Sequence, residues 1–161
     1  GVGLQSVQIR VHTHHVRKTA RHYKVYGLRY KPCNERGKAM QISGIHHISI
    51  IVSNTERALA FYQGLLGLSL AERPELSFPG AWLTIGSQQI HLLELPNPDP
   101  DMGRPDHAGR DRHLAVSVSG LDQLIAKLEE QGVPFTRSRS GREAIFCRDP
   151  DGNGVELIAD E

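Results

Sequence analysis

The sequence predicts an α+β protein in which two paired βαβββ modules form an open, cupped mixed sheet. A strand pattern, a helix signal and three further short strand patterns occur in this order twice along the chain. Both copies begin with a histidine, and a proline-rich segment separates them. The predicted limits are residues 42–95 for module one, 96–112 for the linker and 112–160 for module two, within a domain of residues 40–161.

Module one begins with a run of β-branched residues at 45–52, which is typical of a strand. Residues 53–56 read Ser-Asn-Thr-Glu, a capping-box pattern that predicts the start of a helix. Apolar residues then recur at three- and four-residue steps up to Gly67, which suits a helix end. Alternating patterns at 68–73, 81–85 and 89–95 predict three strands, the last two joined across a Gly86-Ser87 turn.

Module two repeats this order. A strand is predicted at 112–118, a helix start at 119–122 and a helix end at Gly132. Strands are predicted near Phe135, at 143–147 and at 154–158, with a turn at 149–153 before the last of them. The two copies align His47 on His113, Val52 on Val118, Ser53 on Ser119 and Ala60 on Ala126.

The alternation of side chains along a strand predicts which face each histidine occupies. Ile48, Ile50 and Val52 share the face that a helix would cover, so His47 lies on the opposite face, and the repeat places His113 likewise. The segments 93–95 and 155–157 both read as a glutamate between two aliphatic residues. Aligning them makes Glu94 and Glu156 equivalent.

Two histidines and two glutamates at equivalent positions predict a metal site. Lone buried carboxylates are costly, and a divalent cation with two imidazoles and two carboxylates forms a neutral site. Mixed nitrogen and oxygen ligands suit one ion of Ni, Co, Zn, Mn or Fe. His46 and His91 are interpreted as structural, because strand alternation places their side chains on the face that the helices cover. His91 becomes a ligand only if the strand register shifts by one residue. Cys147 is interpreted as a packing residue.

The pattern resembles the glyoxalase or vicinal-oxygen-chelate superfamily, which also includes bleomycin resistance proteins and extradiol dioxygenases. The resemblance covers residues 42–160, and four motifs carry it: His47 with Val52, Phe61-Tyr62 with Leu66-Gly67, His113 with Val118, and the 149–152 turn followed by 155–157. It implies a glyoxalase-like fold and the metal ligands His47, Glu94, His113 and Glu156. It also implies that a liganding carboxylate moves a proton, with Glu156 as the expected base and Glu94 as the alternative.

The resemblance leaves several functions open. A fourfold ligand set favours a lyase or isomerase of the glyoxalase I type, because extradiol dioxygenases and fosfomycin-resistance enzymes use two histidines and one glutamate. Ile51 and Pro98 stand where bacterial glyoxalase I has an arginine and an asparagine, which counts against a glutathione-dependent reaction. A bleomycin-resistance-like protein that sequesters a ligand without catalysis is the binding alternative. Three arginines, Arg137, Arg139 and Arg142, either bind an anionic substrate or are solvated loop charges.

Charge and composition set the remaining expectations. Residues 1–39 hold nine Lys or Arg and one acid, a net +8, against −7 for the rest. We interpret them as a basic extension, with Met40 as a possible native start, and consider a non-native remnant, an arm for nucleic acid or a partner, and an extra hairpin. A solvated arm is favoured, and a nucleic-acid role ranks last. No membrane helix is expected, two distant cysteines suit a cytoplasmic protein, and the expected assembly is a homodimer. Whether the metal site forms in one chain or across the dimer stays open.

Overall fold

The computed structural model describes residues 41–99 and 102–160. The basic extension predicted at residues 1–39 lies outside the described residues, together with its three proposed roles. No helix in the described part of the chain is long and apolar enough to cross a bilayer.

Module one has the predicted order of elements. They are β1 (His47–Val52), α1 (Thr55–Leu59) with a π-helical continuation (Ala60–Leu65), β2 (Ser69–Ala71), β3 (Gly80–Ile85) and β4 (Gln88–Glu94). The sheet order is β1-β4-β3-β2, with β1 parallel to β4 and the other pairs antiparallel. The edge strand β1 is therefore free on its outer side within this sheet.

Local sequence explains where the first helix begins and ends. The N-cap is Asn54, one residue later than the serine of the predicted capping box, and its side-chain oxygen accepts a hydrogen bond from the Arg57 backbone N–H at 2.8 Å. Gly67 follows the helical segment with a φ of 76°, a left-handed conformation that suits glycine. The helix lies across one face of the sheet and buries Ala58, Phe61 and Tyr62.

Module two repeats this architecture. Its elements are β5 (His113–Val118), α2 (Leu121–Glu130), β6 (Phe135–Arg137), β7 (Ala144–Arg148) and β8 (Gly154–Ala159), and a short 3-10 helix (Ala108–Arg110) precedes them in the linker. The sheet order is β5-β8-β7-β6, again with one parallel pair at the edge. Two four-stranded open sheets with few helices confirm the predicted fold class.

The apolar faces of both sheets meet the helices in one core. Its largest fully buried side chains include Tyr62, Leu83, Ile90 and Leu92 from module one, and Leu128, Ile145, Val155 and Leu157 from module two. Ile50 and Val52 are buried while His47 and Ser49 are exposed, so the face predicted for the first histidine is confirmed. Because the two modules share one hydrophobic core, folding fixes their relative placement.

One buried carboxylate joins the modules. Asp149 lies in the turn before β8, and its Oδ2 accepts hydrogen bonds from the Tyr62 hydroxyl at 2.9 Å and from the Asn153 amide at 2.8 Å. Its Oδ1 accepts from the backbone N–H groups of Asp151 and Asn153. Burial raises the pKa of the Asp149 carboxyl, and the hydrogen bonds from Asn153 and Tyr62 offset part of this rise. Asn153 also donates to the carbonyl of Ile51, 3.1 Å away at the end of β1.

This contact shows how the two sheets face each other. The beginning of β5 lies beside the end of β1, because Asn153 bonds Ile51 and the next residue, Gly154, pairs with His113. A groove of about 280 Å³ between the two edge strands has Ile51 and His113 among its lining residues. His47 lies four residues before Ile51, which amounts to roughly 13 Å along an extended strand. His113 therefore lies near the end of β1, whereas His47 lies at the beginning of that strand.

Replacing Asp149 by alanine tests the role of this carboxylate. The substitution leaves the Tyr62 hydroxyl and the Asn153 amide without their buried acceptor, so we expect the free energy of unfolding to fall by about 3 kcal/mol. Urea denaturation followed by circular dichroism measures the change. Asp106→Ala, at an exposed loop position, is the control and should unfold like the wild type. An unchanged denaturation midpoint for Asp149→Ala would contradict the assignment.

Candidate metal centre

The second module brings His113 and Glu156 together. His113 Nε2 lies 3.2 Å from Glu156 Oε2, and the glutamate side chain is only 4% exposed. The His113 Nδ1 lies 2.8 Å from the carbonyl oxygen of Asp111, to which it can donate only when protonated. That tautomer leaves a lone pair on Nε2, beside the carboxylate. Two neighbouring ligands of one ion, each at about 2.1 Å, are about 3 Å apart, so this pair fits a divalent metal.

A cleft lined with arginines opens in front of this pair. It encloses about 340 Å³, and its lining includes Arg110, Arg139 and Arg142 as well as Ser138 and Ser140. Arg142 Nη2 lies 3.2 Å from Glu156 Oε1, while its own side chain is 59% exposed. Two of the three arginines predicted to meet an anionic substrate thus lie at the cleft, and Arg137 is not among its lining residues.

The first module brings His47 together with His91. Their rings are stacked with centroids 4.2 Å apart and planes 12° from parallel. Trp82 stacks on the other side of His91, at 4.0 Å and 5°. His46 Nδ1 lies 2.9 Å from His47 Nδ1 at the exposed start of the strand. Burial lowers the pKa of His91, and the neighbouring His47 and His46 lower it further, so this imidazole is neutral at physiological pH.

Glu94 lies away from His47. It is the last residue of β4 and pairs with Val52, at the other end of β1 from the histidine. Its Oε2 accepts hydrogen bonds from the backbone N–H and the hydroxyl of Thr55, at 2.8 and 2.7 Å. Thr55 is the first residue of α1, so Glu94 provides a carboxylate for the N-terminus of a helix. These hydrogen bonds lower the pKa of Glu94.

The predicted equivalence of Glu94 and Glu156 is wrong. In the parallel strand pairs, Ser49 lies opposite His91 and Ala115 lies opposite Glu156, so His91 is the residue that corresponds to Glu156. The prediction that His91 has helix-side parity is also wrong, because its ring stacks on His47. The sequence contained the signal: Ile90 and Leu92 are the core-facing aliphatic residues of this strand, and Glu94 shares their parity whereas His91 does not.

The two pairs do not form one cluster within the described part of the chain. Over residues 41–99 and 102–160, no three His, Cys, Asp or Glu side chains cluster as a potential metal site. A centre that contains all of these side chains therefore needs a second chain or a different arrangement of the modules.

Cys147 belongs to the core. Its side chain is buried, and burial raises the pKa of its thiol to about 12. A thiol in this environment stays protonated and is a poor nucleophile, which agrees with its interpretation as a packing residue.

Comparison with known proteins decides the family. The sequence profile of the Glyoxalase/Bleomycin resistance protein/Dioxygenase superfamily matches residues 44–157. The chain belongs to this superfamily. It is 35% identical over 126 residues to the Bacillus subtilis protein YwkD, covering 73% of this chain and 98% of that protein. Other similar superfamily proteins are named as a lactoylglutathione lyase, a metallothiol transferase, a ring-cleaving dioxygenase and a methylmalonyl-CoA epimerase.

Solved structures of other superfamily members agree with the fold. A glyoxalase family protein from Bacillus anthracis superposes with a TM-score of 0.63 at 25% identity, covering 77% of this chain and all of that one. The fosfomycin resistance protein FosX from Listeria monocytogenes, solved as a point mutant in complex with Mn(II), superposes with a TM-score of 0.61 at 20% identity, covering 75% and 95% of the two chains. The similar proteins and structures thus carry the names of several different activities.

The lowered pKa of Glu94 predicts a pH-dependent contribution to stability. A carboxyl group whose pKa is lower in the folded state stabilises the fold above its unfolded pKa, and this stabilisation is lost as the pH falls through the folded pKa. Glu94→Gln removes the charge and keeps the shape, so its melting temperature should lie below that of the wild type at pH 7. The two melting temperatures should converge as the pH falls through the lowered folded pKa of Glu94, which thermal unfolding at several pH values measures. A difference that stays constant at every acidic pH at which the wild type remains folded would contradict the charged bond to Thr55.

Proposed function

We propose that this protein is a divalent-metal-dependent enzyme that acts on a small anionic substrate with adjacent oxygen atoms, by lyase or isomerase chemistry. The observation that carries the proposal is the His113–Glu156 pair, with ligand atoms 3.2 Å apart at the back of a cleft. A nearly buried carboxylate needs compensating positive charge, and a divalent cation would supply it together with Arg142, which already contacts Glu156. The Mn(II) in the FosX structure supports a divalent ion in a protein of this fold.

The proposed centre forms across a homodimer. His47 of one subunit would face the partner's His113 and the partner's Glu156, because His47 forms no cluster with this pair within the described part of one chain. A two-fold axis creates two such centres per dimer, since each chain supplies both halves. Glu94 is left out of this set because of its bonds to Thr55.

Glu156 is the proposed base. A bound divalent ion would polarise a substrate carbonyl and acidify the adjacent C–H. Glu156 would lie beside that C–H as a proposed ligand of the ion, and its Oε1 lies 3.2 Å from Nη2 of the exposed Arg142 side chain. Arg142 can turn from the carboxylate to an anionic group of the substrate, which frees Glu156 Oε1 to accept the proton. Arg110 and Arg139 add positive charge to the same cleft.

An assay of the reaction is needed to choose between proton transfer and oxygen chemistry. The sequence argued against an extradiol dioxygenase because it placed the Glu94 carboxylate in the metal site. That argument no longer applies, because Glu94 bonds to Thr55 instead. The lactoylglutathione lyase and epimerase names among similar proteins support proton transfer.

Mixing two defective variants tests the dimeric centre. His47→Ala and Glu156→Gln each break both centres of their own homodimer. In a 1:1 mixture that exchanges subunits, half of the dimers are mixed, and each has one intact centre, so about one quarter of the wild-type sites should bind Zn²⁺. Equilibrium dialysis with elemental analysis counts them. A mixture that binds no more metal than the separate variants would exclude a centre shared between subunits.

Hydrogen–deuterium exchange tests the reaction class without a known substrate. The metal-loaded protein is incubated in D₂O with a panel of small 2-oxo and 2-hydroxy acids, and NMR measures exchange at the C–H beside the oxygenated carbons. We expect exchange with at least one acid, reduced by at least about 100-fold in Glu156→Gln, because the base is lost. Glu143→Gln, at an exposed position of the same module, is the control. Oxygen consumption with a catechol, and no exchange, would favour the dioxygenase instead.

A further inference from the structure

The hydrogen-bond acceptor for the outer nitrogen of His113 belongs to the linker rather than to a strand. It is the carbonyl oxygen of Asp111, which lies 2.8 Å from His113 Nδ1. Asp111 directly follows the short 3-10 helix (Ala108–Arg110), and its backbone N–H bonds to the first carbonyl of that helix at 3.0 Å. The position of the acceptor therefore depends on how the linker is attached to the rest of module two.

Two arginines attach this part of the linker through the Asp111 carboxylate. Its Oδ2 accepts hydrogen bonds from Arg104 Nη1 and from Arg148 Nη1, each at 3.0 Å, and the aspartate side chain is only 14% exposed. Hydrogen bonds between charged groups are stronger than those between neutral ones, so both contacts resist displacement of the carboxylate. We call Arg104, Asp111 and Arg148 the linker clamp.

Arg148 extends the linker clamp to the turn before β8. Its Nη1 also donates to the carbonyl of Gly152 at 2.7 Å, and its Nη2 donates to the carbonyl of Pro105 at 2.6 Å. The planar guanidinium thus bonds acceptors in the linker and in the turn at once, a geometry that a lysine ammonium of the same charge does not reproduce. One side chain therefore holds the linker against the turn.

The backbone of His113 is fixed independently of the linker clamp. His113 pairs with Gly154, and a Cβ at Gly154 would lie only 2.9 Å from the His113 Cβ, so the two strands approach closely at this point. Two acceptors compete for the proton of the neutral ring: the Asp111 carbonyl beside Nδ1, and Glu156 Oε2 at 3.2 Å from Nε2. Only the form with the proton on Nδ1 leaves the Nε2 lone pair free for a metal ion.

We infer that Asp111 and Arg148 are positioning residues, which hold the Asp111 carbonyl against His113 Nδ1 and so keep the Nε2 lone pair available. The inference deepens the proposed metal-dependent function and rests on it, although the tautomer that it specifies already exists without metal. When the linker clamp is broken, the carbonyl moves away and the proton shifts to Nε2, where Glu156 accepts its hydrogen bond. A metal ion then binds only after that proton has left Nε2.

Nuclear magnetic resonance of the ¹⁵N-labelled, metal-free full chain tests the tautomer directly. At about pH 9, at which an ordinary imidazole is neutral, the ¹⁵N shifts of each histidine show which ring nitrogen carries the proton. We expect the proton on Nδ1 of His113 in the wild type and on Nε2 in Arg148→Gln. His91, whose Nε2 lies 3.0 Å from Gln89 Oε1, is the internal control and should keep one tautomer in both proteins. A wild-type His113 with its proton on Nε2 would overturn the inference.

Metal affinity separates the geometry of the linker clamp from its charge. Arg148→Lys keeps the charge and loses the fork, whereas Asp111→Asn keeps the shape and loses the charge. We expect each to weaken Zn²⁺ binding by at least about tenfold, the lower end of the effect of an outer-sphere partner, measured by calorimetry. Asp122→Asn, at an exposed position of α2, is the matched control and should bind Zn²⁺ like the wild type.

A third variant keeps the inference testable if Arg148→Gln does not fold. Arg104→Gln removes one of the two charged bonds to Asp111 and keeps Arg148 in place, and it should move part of the His113 population to the Nε2 tautomer. Wild-type Zn²⁺ affinity in Arg148→Lys and Asp111→Asn, together with loss of Zn²⁺ in His113→Ala, would overturn the inference and leave the proposed function intact. A wild type that binds no divalent metal would overturn the proposed function, and with it the role of the linker clamp.

Discussion

The buried Asp149 carboxylate is the constraint on which the arrangement of the two modules depends. It accepts hydrogen bonds from the helical segment of module one and from its own turn in module two, and Asn153, held by the same carboxylate, reaches the end of β1. A buried acceptor with several donors permits few alternative geometries, because each lost bond leaves an unsatisfied polar group. The contact brings the end of β1 next to the beginning of β5.

The proposed division of the centre between two subunits would couple metal binding to assembly. One subunit would contribute His47 and its partner the His113–Glu156 pair, so the complete set would exist only where two subunits meet. The free energy of metal binding would then contribute to association of the subunits, and dilution of the protein would favour release of the metal. The halves also differ in environment. His113 and Glu156 lie at an arginine-lined cleft, whereas the exposed His47 stacks on the buried His91.

Glu94 and His91 show why the site was harder to predict than the fold. The order of strands and helices followed from periodicity and turn residues, and the histidine-bearing face of β1 followed from parity. Aligning the two short segments by residue type selected Glu94, because a glutamate between two leucines resembles Glu156 between its aliphatic neighbours. The backbone N–H groups at the start of a helix need hydrogen-bond acceptors. The structure shows that Glu94 is such an acceptor, because its carboxylate lies 2.8 Å from the Thr55 backbone nitrogen.

The sequence by itself determined the duplicated βαβββ order, the open-sheet fold class and the superfamily resemblance, because these depend on local alternation, helix periodicity and glycine positions. His113 and Glu156 were also predicted as ligands of one ion, and the parallel β5–β8 pair of the structure brings them together. The parity of His91 was present in the sequence, but only the tertiary structure showed that its ring stacks on His47 and that Glu94 bonds to the first helix. It also showed that the two pairs form no single cluster within the described residues. These contacts depend on strand register and on the packing of one module against the other, which local alternation alone does not fix.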